Sequence, residues 1–146
     1  MRYLALFIIG LALATTAFAH EGVENPAVMK RMHGMKNIGS DLKIMVRMAK
    51  GETPFDQEAA RAAAASIANH AADAPALFEA PEKDPKSEAL PVLWENFDDF
   101  TDKAKDLEDA AQKMSTTVTS LDELRPALQE LGAKCTACHR VYREKR

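Results

Sequence analysis

The chain has 146 residues, room for one domain and hardly two, with 47% hydrophobic and 6% aromatic residues. Its 19 basic and 22 acidic side chains give a formal charge of −3. That balance argues against a nucleic-acid partner, which calls for a basic face.

Residues 1–19 read as a secretory signal. Arg2 gives a positive start, Leu4 to Ala17 is a nearly unbroken apolar run, and Ala17-Phe18-Ala19 is a small-x-small cleavage site. The run is short for a bilayer span, which needs about 20 apolar residues. No cysteine lies near the cut to carry a lipid. The expectation is cleavage after Ala19, a periplasmic domain over residues 20–146, and no stable membrane insertion.

Four helices are expected in that domain. The first runs from about Asn25, a good N-cap, to Lys50, with Pro26 at the first helical position and Gly51 as the stop. Val28, Met32, Met35, Leu42, Met45 or Val46, and Ala49 recur along it at helical spacing. Gly34 and Gly39 lie inside it, each costing about 1 kcal/mol relative to alanine. The second helix starts near Pro54 or Asp56 and reaches about Asp73, with Ala59, Ala63, Ile67 and His70 on one face. A loop containing Pro75, Pro81 and Pro85 follows and packs Leu77 and Phe78 back on the core. The third helix covers about Glu88 to Met114, and Ser115–Thr119 is a hydroxyl-rich break. The fourth opens with the capping-box sequence Ser120-Leu121-Asp122-Glu123. Its stripe is Leu121, Leu124, Leu128, Leu131, Cys135, Cys138 and Tyr142, and Pro126 implies a frayed or kinked start. No segment alternates as a strand would. Long helices with mostly short connections predict an all-α fold, an antiparallel four-helix bundle.

The chemistry is concentrated in Cys135-Thr136-Ala137-Cys138-His139. Two cysteines spaced by two residues, with histidine next, form the attachment signature of a c-type haem. Each thiol can add to one haem vinyl group, and the adjacent imidazole can bind the iron. An exported protein would ordinarily pair two cysteines as a disulfide, but this spacing and the following histidine weigh against it. A thioredoxin-type dithiol needs a βαβ setting, and a structural zinc site needs four ligands; neither is in sight. Cys135, Cys138 and His139 share one helix face, which continues the leucine stripe and directs a covalently attached haem into the bundle. Gly132, one turn earlier, either admits the haem plane or is a tolerated glycine. Arg143, one turn later, either lies beside His139 or is solvated. The basic cluster Arg140, Arg143, Lys145 and Arg146 suits a helix C-terminus, with docking of an acidic partner as the alternative.

A sixth iron ligand has to come from another helix. Met29, Met32, His33, Met35, Met45, Met48, His70 and Met114 are the available donors, and core packing is the ordinary role for methionines on an apolar stripe. His70 reads as a hydrogen-bonded core histidine, and Trp94 as core packing.

The chain resembles the class II c-type cytochromes, the cytochrome c′ family. The resemblance rests on the C-terminal Cys135–His139 motif with Val141-Tyr142-Arg143, on Gly51-Glu52-Thr53-Pro54-Phe55-Asp56, and on Pro91-Val92-Leu93-Trp94. It implies that the residue over the open haem face is Met35, sixteen positions before Gly51, and that Arg31 lies near the haem propionates. True cytochromes c′ carry a non-ligating apolar residue at that place and bind nitric oxide or carbon monoxide at five-coordinate iron. Methionine there resembles the low-spin cytochrome c-556 type. The resemblance therefore implies a non-enzymatic, single-haem electron carrier with His139 and Met35 on the iron, serving redox partner proteins as a monomer or homodimer. A five-coordinate, gas-binding protein is the alternative.

Overall fold

Four long helices and one single helical turn make up the described residues, 22–145, of the computed structural model. The expected signal segment, its cleavage point, His20 and Arg146 lie outside them.

Helix α1 is Pro26–Ala49. The Asn25 Oδ1 accepts from the backbone N–H of Ala27 at 2.8 Å and of Val28 at 3.3 Å, and Pro26 has no N–H to leave unpaired. At the other end Gly51, at φ +75°, donates to the Met48 carbonyl at 3.0 Å, and Glu52 donates to that of Arg47 at 2.9 Å. This pair of bonds is a Schellman motif. The buried face of α1 is Val28, Arg31, Gly34, Ile38, Met45 and Met48; Met32 and Met35 are half-buried on its flank.

Helix α2 is Gln57–Phe78, capped by Asp56, whose Oδ1 accepts from Ala59 N–H at 2.9 Å. The helix does not stop at Asp73. It continues through Pro75, which forfeits a single bond, because the extra turn buries Ala74 and Phe78. Leu77 and Phe78 do pack on the core, but from a helix rather than a loop.

The expected third helix is divided. Val92–Glu95 forms a single turn, α3, and Phe97–Thr117 forms α4, with a bend at Asn96 (φ −127°, ψ 48°). Residues 88–90 are not helical. Pro91 disfavours helix in the residue before it, and the end of the last helix captures this stretch. Leu90 N–H donates to the Tyr142 carbonyl at 2.9 Å, and Glu144 N–H to that of Glu88 at 2.8 Å, around an Ala89–Arg143 bridge. The predicted break at Ser115 comes later, because the hydroxyls of Ser115, Thr116 and Thr117 bond back to carbonyls of the preceding turn.

Helix α5 is Leu121–Tyr142. Ser120 Oγ accepts from Glu123 N–H at 3.3 Å. The Glu123 carboxylate reaches back one residue further than the capping box requires, accepting the N–H and hydroxyl of Thr119, each at 2.7 Å. Pro126 neither frays nor interrupts the helix; it is exposed, so the carbonyl it leaves unpaired faces solvent.

Arginines fix the relative directions of the helices. Arg31, near the start of α1, bonds Leu77 O at the end of α2 at 2.9 Å. Arg61, near the start of α2, bonds Thr116 O and Val118 O at the end of α4 at 2.7 and 2.8 Å. Arg125, near the start of α5, bonds Ala49 O at the end of α1 at 3.3 Å. Each pair is antiparallel, and each cation meets the negative end of a neighbour's helix dipole. The surface ion pairs Lys134–Asp106 and Lys113–Glu130 join α4 to α5 along their lengths in an antiparallel register. The four long helices close a ring in which α1 packs on α2, α2 on α4, α4 on α5 and α5 on α1. The result is the expected antiparallel four-helix bundle. Its main core holds Met45, Ala64, Ile67, Ala111, Met114, Leu124 and Leu131. A second cluster, Phe78, Leu93, Phe100 and Tyr142, fills the end nearest the α5 C-terminus.

Candidate haem site

Positions 135, 138 and 139 of α5 fall at helical i, i+3, i+4 spacing, so both thiols and the imidazole stand on neighbouring parts of one face. The α5 seam is buried at Leu124, Leu131 and Tyr142. Between Leu131 and Tyr142 the polypeptide covers it only in part: Cys135 and Cys138 are half-buried and His139 is exposed. A depression of about 420 Å³ opens here, lined by Cys135, Thr136, His139, Arg140 and Arg143 among others. A Cβ added at Gly132 would meet nothing within 4 Å.

The donor chemistry fits a covalent haem. Both cysteines are free thiols. Burial pushes the Cys135 thiol up and that of Cys138 up to about 11, and net addition of each S–H across a haem vinyl group would give an uncharged thioether suited to that half-buried setting. Partial desolvation by the flanking helix and chain end lowers the pKa of His139 although the residue stays exposed, and the Arg143 guanidinium lowers it further against the opposing pull of Glu88. A neutral imidazole keeps a lone pair for iron. Arg143 is not simply solvated: its Nε bonds the Glu88 carboxylate at 2.6 Å. Cys135 and Cys138 would hold the porphyrin and His139 its iron. Bound haem supplies reversible one-electron exchange at that iron.

Met35, on α1, does not line that depression. It packs against the cluster of Phe78, Leu93, Phe100 and Tyr142, as does Cys138. Among the other sulfur donors, Met45, Met48 and Met114 are buried in the main core. Met32 is half-buried, one turn before Met35, and His33 is exposed. His70 is half-buried, and among the described residues nothing hydrogen-bonds its ring, unlike the bonded core histidine expected.

Arg31 is 3% exposed, deep among apolar groups. Its donors are directed at main-chain carbonyls: Nε to Leu77 at 2.9 Å, Nη1 to Glu82 at 2.9 Å, and Nη2 to Ala80. The guanidinium carbon lies 5.1 Å from the Phe78 ring centre and 5.3 Å from that of Trp94. The Trp94 Nε1–H donates to the Phe78 carbonyl at 2.7 Å, so Trp94 joins this polar knot as well as the core. Periodicity alone marked neither residue as its hub; the signal available was an arginine on the apolar side of α1, opposite a proline-rich loop.

Fold and motif together define a class: a helical bundle that carries a c-type haem on its last helix. A family model described as Cytochrome C′ matches residues 26–143. A cytochrome c-556 of Agrobacterium tumefaciens (strain II Chrys) is 39% identical over 120 residues, covering 82% of this chain and 98% of its own. An NMR-validated structural model of oxidised Rhodopseudomonas palustris cytochrome c556 superposes with a TM-score of 0.77 at 29% identity, covering 83% of this chain and 98% of that one. A variant cytochrome c prime of Alcaligenes xylosoxidans, in complex with nitric oxide, superposes with a TM-score of 0.71 at 30% identity over 82% of this chain and 94% of its own. The chain belongs to the cytochrome c′ family, and its cofactor is one covalent haem c.

Proposed function

We propose that this cytochrome is an exported electron carrier, not an enzyme, with His139 and Met35 as the two protein ligands of the iron. The observation that carries this reading is that Met35 of α1 and Cys138 of α5 border the same apolar cluster. A thioether donor beside the attachment helix, in a water-poor setting, suits a low-spin iron of raised reduction potential. With both axial positions filled, oxidation and reduction need little rearrangement, which favours electron transfer over substrate chemistry. The leader-like residues 1–19 support export to the periplasm, where redox proteins would be its partners. No helix among the described residues is long and apolar enough to cross a membrane.

The nitric oxide complex of the Alcaligenes xylosoxidans relative supports a second reading, gas capture at an open or easily opened iron. One set of absorption spectra separates the two. The carrier reading expects low-spin spectra in both oxidation states, no rapid carbon monoxide binding by the reduced wild type, and conversion of Met35→Ala to a high-spin, carbon monoxide-binding form. Rapid binding by the wild type favours gas capture, and a low-spin Met35→Ala removes Met35 from the iron.

A further inference from the structure

We infer that Arg31 is the positioning residue for Met35: by clasping the end of α2 it fixes the turn of α1 from which Met35 projects, and so decides whether the sixth ligand stays or leaves. This rests on the reading that Met35 binds the iron.

The N-terminal third of α1 is tied to the 77–84 segment at several points. The Asp84 carboxylate accepts the backbone N–H of Glu24 and Asn25 at 2.8 and 2.9 Å. The Asn25 side chain donates to Glu82 at 2.9 Å. Gly34 lies against Leu77, where an added Cβ would come within 3.2 Å of Cδ1. Among the hydrogen-bonded ties the buried one is Arg31, with three carbonyl acceptors and two aromatic faces. Beyond Met35 the inner face of α1 is held by packing on the main core, through Ile38, Met45 and Met48, while its outer face is open. Lys36, Asn37, Gly39 and Ser40 are exposed, and a Cβ at Gly39 would meet nothing within 4 Å. Met35 therefore stands one turn beyond the clasp, where the polar ties to the 77–84 segment end and packing on the main core takes over.

The coupling runs through contacts already described. Arg31 and Met35 are four apart, one above the other on the helix. The guanidinium stacks on Phe78, and Phe78 belongs to the cluster against which Met35 packs. Loss of the clasp frees α1 to move away from α2 at this level and carries Met35 with it. Lysine keeps the charge but cannot reproduce the planar fork that meets carbonyls in three directions.

The test compares Arg31→Lys with Arg61→Lys in the haem-loaded protein. Arg61 clamps another helix end with the same kind of bonds, about 24 Å away along α2. Two quantities are read: the carbon monoxide association rate of the reduced protein, and the temperature at which the low-spin spectrum is lost against the temperature at which helical circular dichroism is lost. Arg31→Lys is expected to bind carbon monoxide roughly tenfold faster, equivalent to about 1.4 kcal/mol, one charged hydrogen bond. It is also expected to lose the low-spin spectrum well before the helices melt. Arg61→Lys should melt earlier with the two transitions still coincident and the rate unchanged. If both variants behave alike, or Arg31→Lys keeps the wild-type rate, the clasp does not position Met35. A Met35→Ala variant that remains low-spin overturns the ligand assignment and this inference with it, whereas a high-spin Met35→Ala beside an unaltered Arg31→Lys overturns the clasp alone.

Discussion

Tyr142, three residues beyond His139, donates its phenolic hydrogen to the carboxylate of Asp99 on α4, with the Asn96 carbonyl a further acceptor at 3.4 Å. The ring is 3% exposed and meets Phe100 edge-on at 5.7 Å between centres. One side chain thus closes the haem-bearing end of the α4–α5 seam by packing and by polarity together.

The pH dependence of stability follows from that bond. The Tyr142 hydrogen bond, helped by Lys103, holds the Asp99 carboxyl below the usual carboxylate range. Its contribution is therefore present above the unfolded value of about 3.9 and lost as pH falls through the lower folded value. Burial, with Asp99 adding to it, pushes the Tyr142 phenol up to about 12. Its contribution is whole below the unfolded value of about 10 and lost as pH rises through the folded one. Denaturant unfolding of Tyr142→Phe across pH should show a deficit at neutral pH that closes at both extremes. Parallel curves for variant and wild type would refute the linkage.

The two interior glycines of α1 should respond in opposite ways. Gly39 has open space around it, so Gly39→Ala should stabilise by up to about 1 kcal/mol through helix propensity alone. Gly34 is buried against Leu77, and Gly34→Val should destabilise, because a branched side chain has to push α1 off α2. Thermal melts of the two variants check this directly.

Replacement of one thiol should leave the haem on a single thioether, while the double replacement Cys135→Ser with Cys138→Ser should leave none. Haem staining after denaturing electrophoresis and intact mass distinguish the three forms. Retention of covalent haem by the double variant would place the attachment elsewhere.

Core truncation should grade with burial along α5. Leu124 is fully buried and Leu128 half-buried. Leu124→Ala is expected to cost about 2–5 kcal/mol and Leu128→Ala clearly less, read from urea midpoints at unchanged slope.

Much of the fold was legible because one property repeated at a regular interval. The α5 stripe, the Asn25 and Ser120 caps and the Gly51 stop are local signals, and each stands where the sequence put it. Failures arose where distant partners overruled local preference. Pro75 reads as a stop, yet Ala74 and Phe78 find burial beyond it. Residues 88–90 read as helix, yet the end of α5 holds them extended. On α1 the pattern favoured Met32 over Ile38, and the structure buries Ile38. At the site, the motif pointed to Cys135, Cys138 and His139 by spacing alone, and all three stand on the last turns of α5. The three carbonyls around Arg31 had no sequence signature, because any residue offers a carbonyl.

Six of the eight buried residues of α2 are alanine, and the helix lies between α1 and α4. With methyl groups alone on most of that surface, α2 acts as a shim of fixed thickness. It sets how far apart its two neighbours stand, and with them the walls from which Met35 and Phe100 reach the second cluster. The spacing of the second cluster beside α5 is thus governed by the chemically plainest stretch of the sequence, and one bulky intruder at fully enclosed Ala64 would wedge its neighbours apart from afar.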